Sequence, residues 1–193
     1  MELYVSRHGE TLANIEKRLA GSKSDSPLTE KGIMQAKELG QNLNSISFDV
    51  VYSSPLQRAV NTVNIAFDNK YIINVDDRLS EINLGVMDGM TYDEASLKFP
   101  QSGMRFFTDP KTYEPVVNGE SLHDMIARIS YFLDDLIKKD YDKVFVMTHG
   151  MALRVLYSCT KSKSIFEIDK APIYSNCEVV RYTYDNGMWI LNI

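Results

Sequence analysis

The chain predicts an α/β fold: a three-layer α/β/α sandwich around a mostly parallel sheet, with an antiparallel strand at one edge. Three observations predict it. Short apolar runs of strand length alternate with longer stretches of helical period, the pattern of parallel sheets covered on both faces. Residues 143–147 (Lys-Val-Phe-Val-Met) are almost continuously apolar, as expected of a strand buried on both sides. Near the C-terminus, 177–184 and 188–192 flank Asp185-Asn186-Gly187, which is the turn chemistry of a β-hairpin.

The elements follow in order. Residues 2–7 form the first strand, which is apolar from Leu3 to Val5 and ends abruptly in Arg7-His8-Gly9. The stretch 8–28 is rich in Gly, Ser and Asn and predicts a long loop with one helical turn. Thr29 is an N-cap type for a helix over 30–44, with Ile33, Ala36, Leu39 and Leu43 on one face. Residues 48–52 predict the second strand. It runs into Ser53-Ser54-Pro55, taken as strand end, N-cap and first-turn proline of a helix over 55–68. Residues 71–75 predict the third strand.

From 85 to 118 the chain is irregular and carries short helices expected at 91–99 and 102–108. It is dense in Met and aromatic residues, among them Tyr92, Met104, Phe106 and Phe107. This segment predicts a cap, an insertion over one end of the sheet. Ser121 opens the longest helix, to 139, with apolar spacing from Leu122 to Ile137. After the strand 143–147 come Thr148-His149-Gly150 and helices at 151–160 and 163–169. The whole of 1–193 predicts one domain.

Composition narrows the function. The chain has 193 residues, 44% hydrophobic and 24% charged, as an ordinary globular protein does. Its net charge of −5 disfavours nucleic acid and anionic lipid as partners. It would also repel a phosphorylated substrate, so a site for one must concentrate cations locally. Cys159 and Cys177 show no zinc spacing, no CxxC and no C-x5-R loop. No stretch is apolar enough to span a bilayer and the N-terminus lacks a signal-peptide pattern, so the cytoplasm is the expected location. The sequence sets no oligomeric state.

Four groups fall at equivalent points of the predicted sheet. Arg7-His8-Gly9 ends the first strand. Arg58 lies in the first turn of the helix after the second, Glu81 lies just past the third, and His149-Gly150 ends the later buried strand. In a parallel sheet these points share one edge, where ligands bind. Two guanidiniums and two imidazoles form a cluster that calls for an anion, and planar guanidiniums match phosphate oxygens. The two helix starts are expected to aim N–H groups at the same place. One imidazole can attack phosphorus, and the carboxyl group can protonate the leaving alkoxide and then activate water. The guanidiniums supply the charge stabilisation that a metal performs elsewhere, so neither metal nor cofactor is expected. His123-Asp124 lies inside the long helix and is expected to be structural or at the surface.

These motifs resemble the histidine phosphatase superfamily, in its phosphoglycerate-mutase-like branch. Arg7-His8-Gly9-Glu10-Thr11 looks like the family signature, and Asn14 matches the asparagine that follows it. The segment from Gly21 through Ser26-Pro27-Leu28-Thr29 to Gly32 is similar to its Asp-x-Pro-Leu-Thr-x-x-Gly stretch. Ser53-Ser54-Pro55-Leu56-Gln57-Arg58-Ala59 resembles its Ser-Ser-Pro-x-x-Arg-Ala, and Gly119-Glu120-Ser121 and 146–150 also fit. Ser80 stands where arginine is common, and Met87-Asp88 where Trp-Glu is common.

The resemblance implies a phosphoglycerate-mutase-like fold. It implies catalytic roles for Arg7, His8, Arg58, Glu81 and His149, with His8 phosphorylated. It implies substrate binding by Arg7, Asn14, Gly21, Arg58, His149 and Gly150. The expected activity is metal-independent hydrolysis of small phosphorylated metabolites through phospho-His8, with its optimum on the mildly acidic side. The alternatives are a phosphoglycerate mutase using the same intermediate, or a non-catalytic phospho-ligand-binding protein. Dedicated mutases of the family carry additional basic residues after the acid, whereas 82–118 offers only Lys98, Arg105 and Lys111.

Overall fold

A computed structural model describes residues 1–192; Ile193, the last residue of the predicted domain, lies outside the described residues. Strand β1 (Glu2–Arg7) leads through α1 (Leu12–Ile15) to α2 (Glu30–Asn42). Then come β2 (Val50–Ser53), α3 (Gln57–Ala66) and β3 (Ile73–Val75). The irregular segment holds α4 (Tyr92–Lys98) and α5 (Arg105–Thr108). It is followed by α6 (Leu122–Leu136), β4 (Lys143–Thr148), α7 (Gly150–Cys159) and α8 (Ile165–Ile168). The hairpin β5 (Val179–Asp185) and β6 (Met188–Asn192) ends the described chain.

The strands form one sheet in the order β3-β2-β4-β1-β5-β6. The first four run parallel. β5 runs against β1, and β6 pairs antiparallel with β5 at the sheet edge. Asn186 and Gly187 both have positive φ, 48° and 82°, which is what the tight hairpin turn requires.

Strand alternation sorts the core into two layers. Leu3, Val5, Val144 and Val146 face α6 and α7, in a cluster with Ile129, Leu133, Leu153 and Leu156. Tyr4, Val51, Phe145 and Met147 face α2 and α3, against Leu39, Leu43, Ala59 and Val63. The helices therefore cover both faces, as the alternation predicts. Burying the fully enclosed Phe145 stabilises the fold by roughly 2–3 kcal/mol.

Two local expectations differ. The second strand begins at Val50, two residues later than expected. Phe48 instead turns into the core, with its ring packed edge-on against Tyr4 and Phe67. The helix after it begins at Gln57, and Ser54 is not its cap. Among the described residues no side chain of Leu56, the residue at the N-cap, bonds the helix. The Asp25 carboxylate accepts from the Gln57 and Arg58 N–H groups instead.

The excursion 85–118 leaves and returns at one point, because Leu84 bridges Gly119. Its first turns are fastened to the long N-terminal loop. Leu19 N–H donates to the Met90 carbonyl, and Tyr92 N–H to that of Lys17. Met87 and Phe106 are core residues, 0% and 6% exposed.

Candidate active site

The sheet register assembles the site. Arg7 sits opposite Thr148, and Ser53 opposite Met147. Beyond the paired residues, His8 N–H donates to the Thr148 carbonyl and Ser54 N–H to that of Met147. The chain ends at 7–8, 53–54 and 148–149 therefore lie side by side. Thr148 Oγ1 donates to the Leu79 carbonyl at 2.6 Å and draws in the loop that carries Glu81.

Arg7, His8, Asn14, Glu81 and Gly150 line one crevice of about 210 Å³. Arg58 and His149 adjoin it but do not line it, being 1% and 0% exposed. Gly21 lies outside the lining. Its N–H donates to Asp88, and its carbonyl accepts from Arg58 Nη2 at 3.0 Å. Gly9 is needed for a close approach: a Cβ there would lie 2.6 Å from the Gly32 carbonyl oxygen.

The protons of both imidazoles are fixed by their neighbours. His8 Nδ1 lies 2.8 Å from the Gly9 carbonyl oxygen. A carbonyl only accepts, so Nδ1 carries the hydrogen and Nε2 keeps its lone pair. Burial lowers the His8 pKa well below the ordinary value, and Arg58 and Arg7 lower it further. His149 Nε2 lies 2.6 Å from Ser54 Oγ. That hydroxyl accepts from Leu56 N–H, and among the described residues its own proton has no acceptor other than Nε2, so the His149 hydrogen is assigned to Nδ1. The His149 pKa is likewise lowered, first by burial and then by Arg58 and His8. The two rings are 5.1 Å apart, centre to centre.

Around this neutral pair stand donors with no acceptor among the described residues. Arg7 Nε, Arg58 Nε and His149 Nδ1 are buried and unpaired. Such orphaned groups are rare in folded proteins and need an explanation. The Arg58 fork is otherwise filled: Nη1 donates to Ser24 and Asp25, and Nη2 to Ala20 and Gly21. Arg7 Nη1 donates to the Tyr174 carbonyl. Burial lowers the Arg7 pKa. A guanidinium starting from above 12 stays charged.

The two helix starts behave differently from expectation. The α3 donors serve Asp25. The α7 donors Met151 N–H and Ala152 N–H go to Glu81, whose Oε1 also accepts from Ile82 N–H. Among the described residues only the Gly150 N–H is left unpaired in the first turn of α7. A Cβ on Gly150 would sit 3.5 Å from Arg7 Nε, so this residue packs against the orphaned guanidinium.

Sequence reasoning missed several supporting residues. Asp25 caps α3 and pairs with Arg58 at 3.1 Å; its only signal was its place in the Asp-Ser-Pro-Leu-Thr segment. Thr62 accepts from Gly9 N–H. Arg128 donates to the carbonyls of Arg78, Ser80 and Glu81 and pairs with Glu120, so it grips the glutamate-bearing loop. Asp88, an expected departure in substrate contact, accepts from Gly21, Lys23 and Ser24 and braces the loop under Arg58. His123 is exposed on α6. Among the described residues no three His, Cys, Asp or Glu side chains gather as a metal site would require.

The chain belongs to the histidine phosphatase superfamily (branch 1), whose model matches residues 3–192. It is 31% identical over 192 residues to a "Probable phosphoglycerate mutase GpmB" of Erwinia tasmaniensis, covering 98% of this chain and 88% of that one. It is 34% identical over 159 residues to "Phosphoserine phosphatase 1" of Hydrogenobacter thermophilus, covering 81% of this chain and 74% of that one. Among solved structures, YhfR of Bacillus stearothermophilus superposes with a TM-score of 0.91 at 31% identity, covering 100% of this chain and 95% of that chain.

Proposed function

We propose that this member of the histidine phosphatase superfamily is a metal-independent phosphomonoesterase. It acts on small phosphorylated metabolites through a phosphohistidine on His8. The observation that carries the reading is the ring of buried, unpaired donors, Arg7 Nε, Arg58 Nε and His149 Nδ1, around a neutral His8 with Nε2 free. Three such donors fit the non-bridging oxygens of a phosphoryl group.

The reaction has two displacements. In the first, His8 Nε2 forms a bond to phosphorus and the ester P–O bond breaks. The leaving oxygen takes a proton from the Glu81 carboxyl group. In the second, water attacks phosphorus, Glu81 takes back a proton, and the P–N bond breaks to release phosphate. Nδ1–H stays on the Gly9 carbonyl throughout and holds the ring. The Gly150 N–H and the three orphaned donors stabilise the charge that develops on the phosphoryl oxygens.

The cations of 82–118 favour hydrolysis over mutation of phosphoglycerate. A mutase must hold two anionic ends of its substrate. Arg105 is engaged with Pro100, Thr112 and Asp109, Lys111 pairs with Asp169, and Lys98 lies over Phe99. The name of the H. thermophilus relative supports a phosphatase as well. We take 1–193 as one catalytic domain with 85–118 as its cap, since Tyr92, Met104, Phe106 and Phe107 of that segment line the crevice. Two free thiols support a cytoplasmic location.

The test is hydrolysis of p-nitrophenyl phosphate in excess EDTA from pH 5 to 9, for the wild type and His8→Ala. Turnover by the wild type and none by the variant is the expected result. An active His8→Ala variant would remove His8 as nucleophile, and an inactive wild type would turn attention to mutase activity and then to phosphate-ester binding.

A further inference from the structure

The crevice wall constrains what the phosphoryl group is attached to. Away from His8, Glu81 and Gly150 the wall is formed by Leu19, Leu84, Tyr92, Met104, Phe106 and Phe107. Besides Arg7, which the phosphomonoesterase reading gives to the phosphoryl group, Arg18 is the other cation of the lining among the described residues, and two of its nitrogens are engaged. Its Nε donates to Glu16 at 2.8 Å and its Nη1 to the Gly89 carbonyl at 3.1 Å. The Thr11 hydroxyl oxygen accepts from Asn14 N–H in the α1 cap, and the other polar groups of the wall are the Asn14 side chain and the Tyr92 hydroxyl. Hydroxyls of a sugar or polyol would leave water for a wall with few partners, at a net cost. A hydrocarbon group would gain by the same transfer.

The wall is also preformed. Arg154, 5% exposed, stacks on the Phe107 ring at 4.8 Å. It donates to the carbonyls of Phe107 and Ile168, and so ties the segment to α7 and α8. A crevice of about 210 Å³ is small for a ligand site, so it seats only the part of the leaving group nearest phosphorus, a short chain or a single ring.

We infer that the substrate is the phosphate monoester of an apolar alcohol or phenol, its hydrocarbon part seated on Tyr92, Met104 and Phe107, and not a sugar phosphate or a phosphorylated hydroxy acid. This rests on the phosphomonoesterase reading above.

The experiment compares kcat/KM for methyl, propyl and hexyl phosphate with glycerol 3-phosphate and glucose 6-phosphate. All are esters of primary alcohols, so intrinsic leaving-group reactivity is nearly matched. The expected result is a rise of roughly threefold per methylene along the alkyl series, with both polyol esters below propyl phosphate. Phe107→Asn should lower the hexyl-to-methyl ratio by about tenfold, a change in selectivity that general loss of fold would not produce. Equal or better hydrolysis of glucose 6-phosphate would overturn the inference. Calorimetric binding of hexylphosphonate and methylphosphonate separates the two levels. If no ester is hydrolysed, the phosphatase reading fails, while tighter binding of hexylphosphonate by tenfold or more still upholds the apolar seat. Equal binding of the two phosphonates overturns it.

Discussion

In the proposed mechanism, His8 owes its readiness to attack to one backbone oxygen and to its burial. The Gly9 carbonyl holds the Nδ1 proton, and burial with Arg58 and Arg7 disfavours the imidazolium. The acid limb of kcat/KM reports the free enzyme, so it should lie below pH 6.5, the ordinary histidine value. A limb at or above 6.5 in a pH–rate profile would contradict the depressed pKa. Ser54 has a parallel task, since its hydroxyl proton sets the His149 tautomer. Ser54→Ala should cost roughly tenfold to a hundredfold in kcat, by misdirecting one phosphoryl donor, and KM should move less. Arg7, His8, Glu81 and His149 were legible because each lies at or just past a strand end. Ser54 and Asp25 were not legible as supports. Ser54 meets His149 across 95 positions of sequence, and Asp25 meets Arg58 across 33.

The loop that carries Glu81 has a single 3-10 turn, Asp77–Leu79, just before that residue and is otherwise held from outside. Arg128 of α6 spends its N–H groups on the Glu120 carboxylate and on the carbonyls of Arg78, Ser80 and Glu81. Arg128→Met would leave that carboxylate and those carbonyls short of donors in a largely buried place. It should cost about 2–4 kcal/mol of stability, read from urea unfolding. It should also lower kcat more than it raises KM, because Glu81 would lose its register against α7. An unchanged kcat would show that the α7 N–H groups alone suffice to hold the carboxylate. Helix periods gave the elements but trimmed poorly. The predicted helix over 55–68 is α3, Gln57–Ala66, because a distant carboxylate and not the local Ser-Ser-Pro starts it. The helix-start donors were assigned to an anion, and the structure gives most of them to Asp25 and Glu81.

The molecule as a whole keeps two imidazoles neutral beside two guanidiniums, and that has a cost in acid. The His8 and His149 pKa values are lowered in the folded state. The unfolded chain therefore binds protons first as pH falls through about 6.5. Stability is unaffected above that point and is lost below it, by up to about 1.4 kcal/mol per pH unit for each imidazole. Urea midpoints at pH 7.5 and 5.5 should show this fall, and His149→Asn should reduce it by about half. Equal midpoints would mean that neither ring is held neutral by the fold.

The sequence by itself determined the fold class, the order of the elements and the strand-end positions of the reactive groups. Periodicity, turn chemistry and strand ends are local properties, and they survive without coordinates. The tertiary structure alone decided the proton positions on the two imidazoles, the caps of α3 and α7, the bracing of Arg58 and the apolar wall of the crevice. Each of these depends on partners distant in sequence. Such partners become neighbours only when the sheet register lays β1, β4 and β2 side by side.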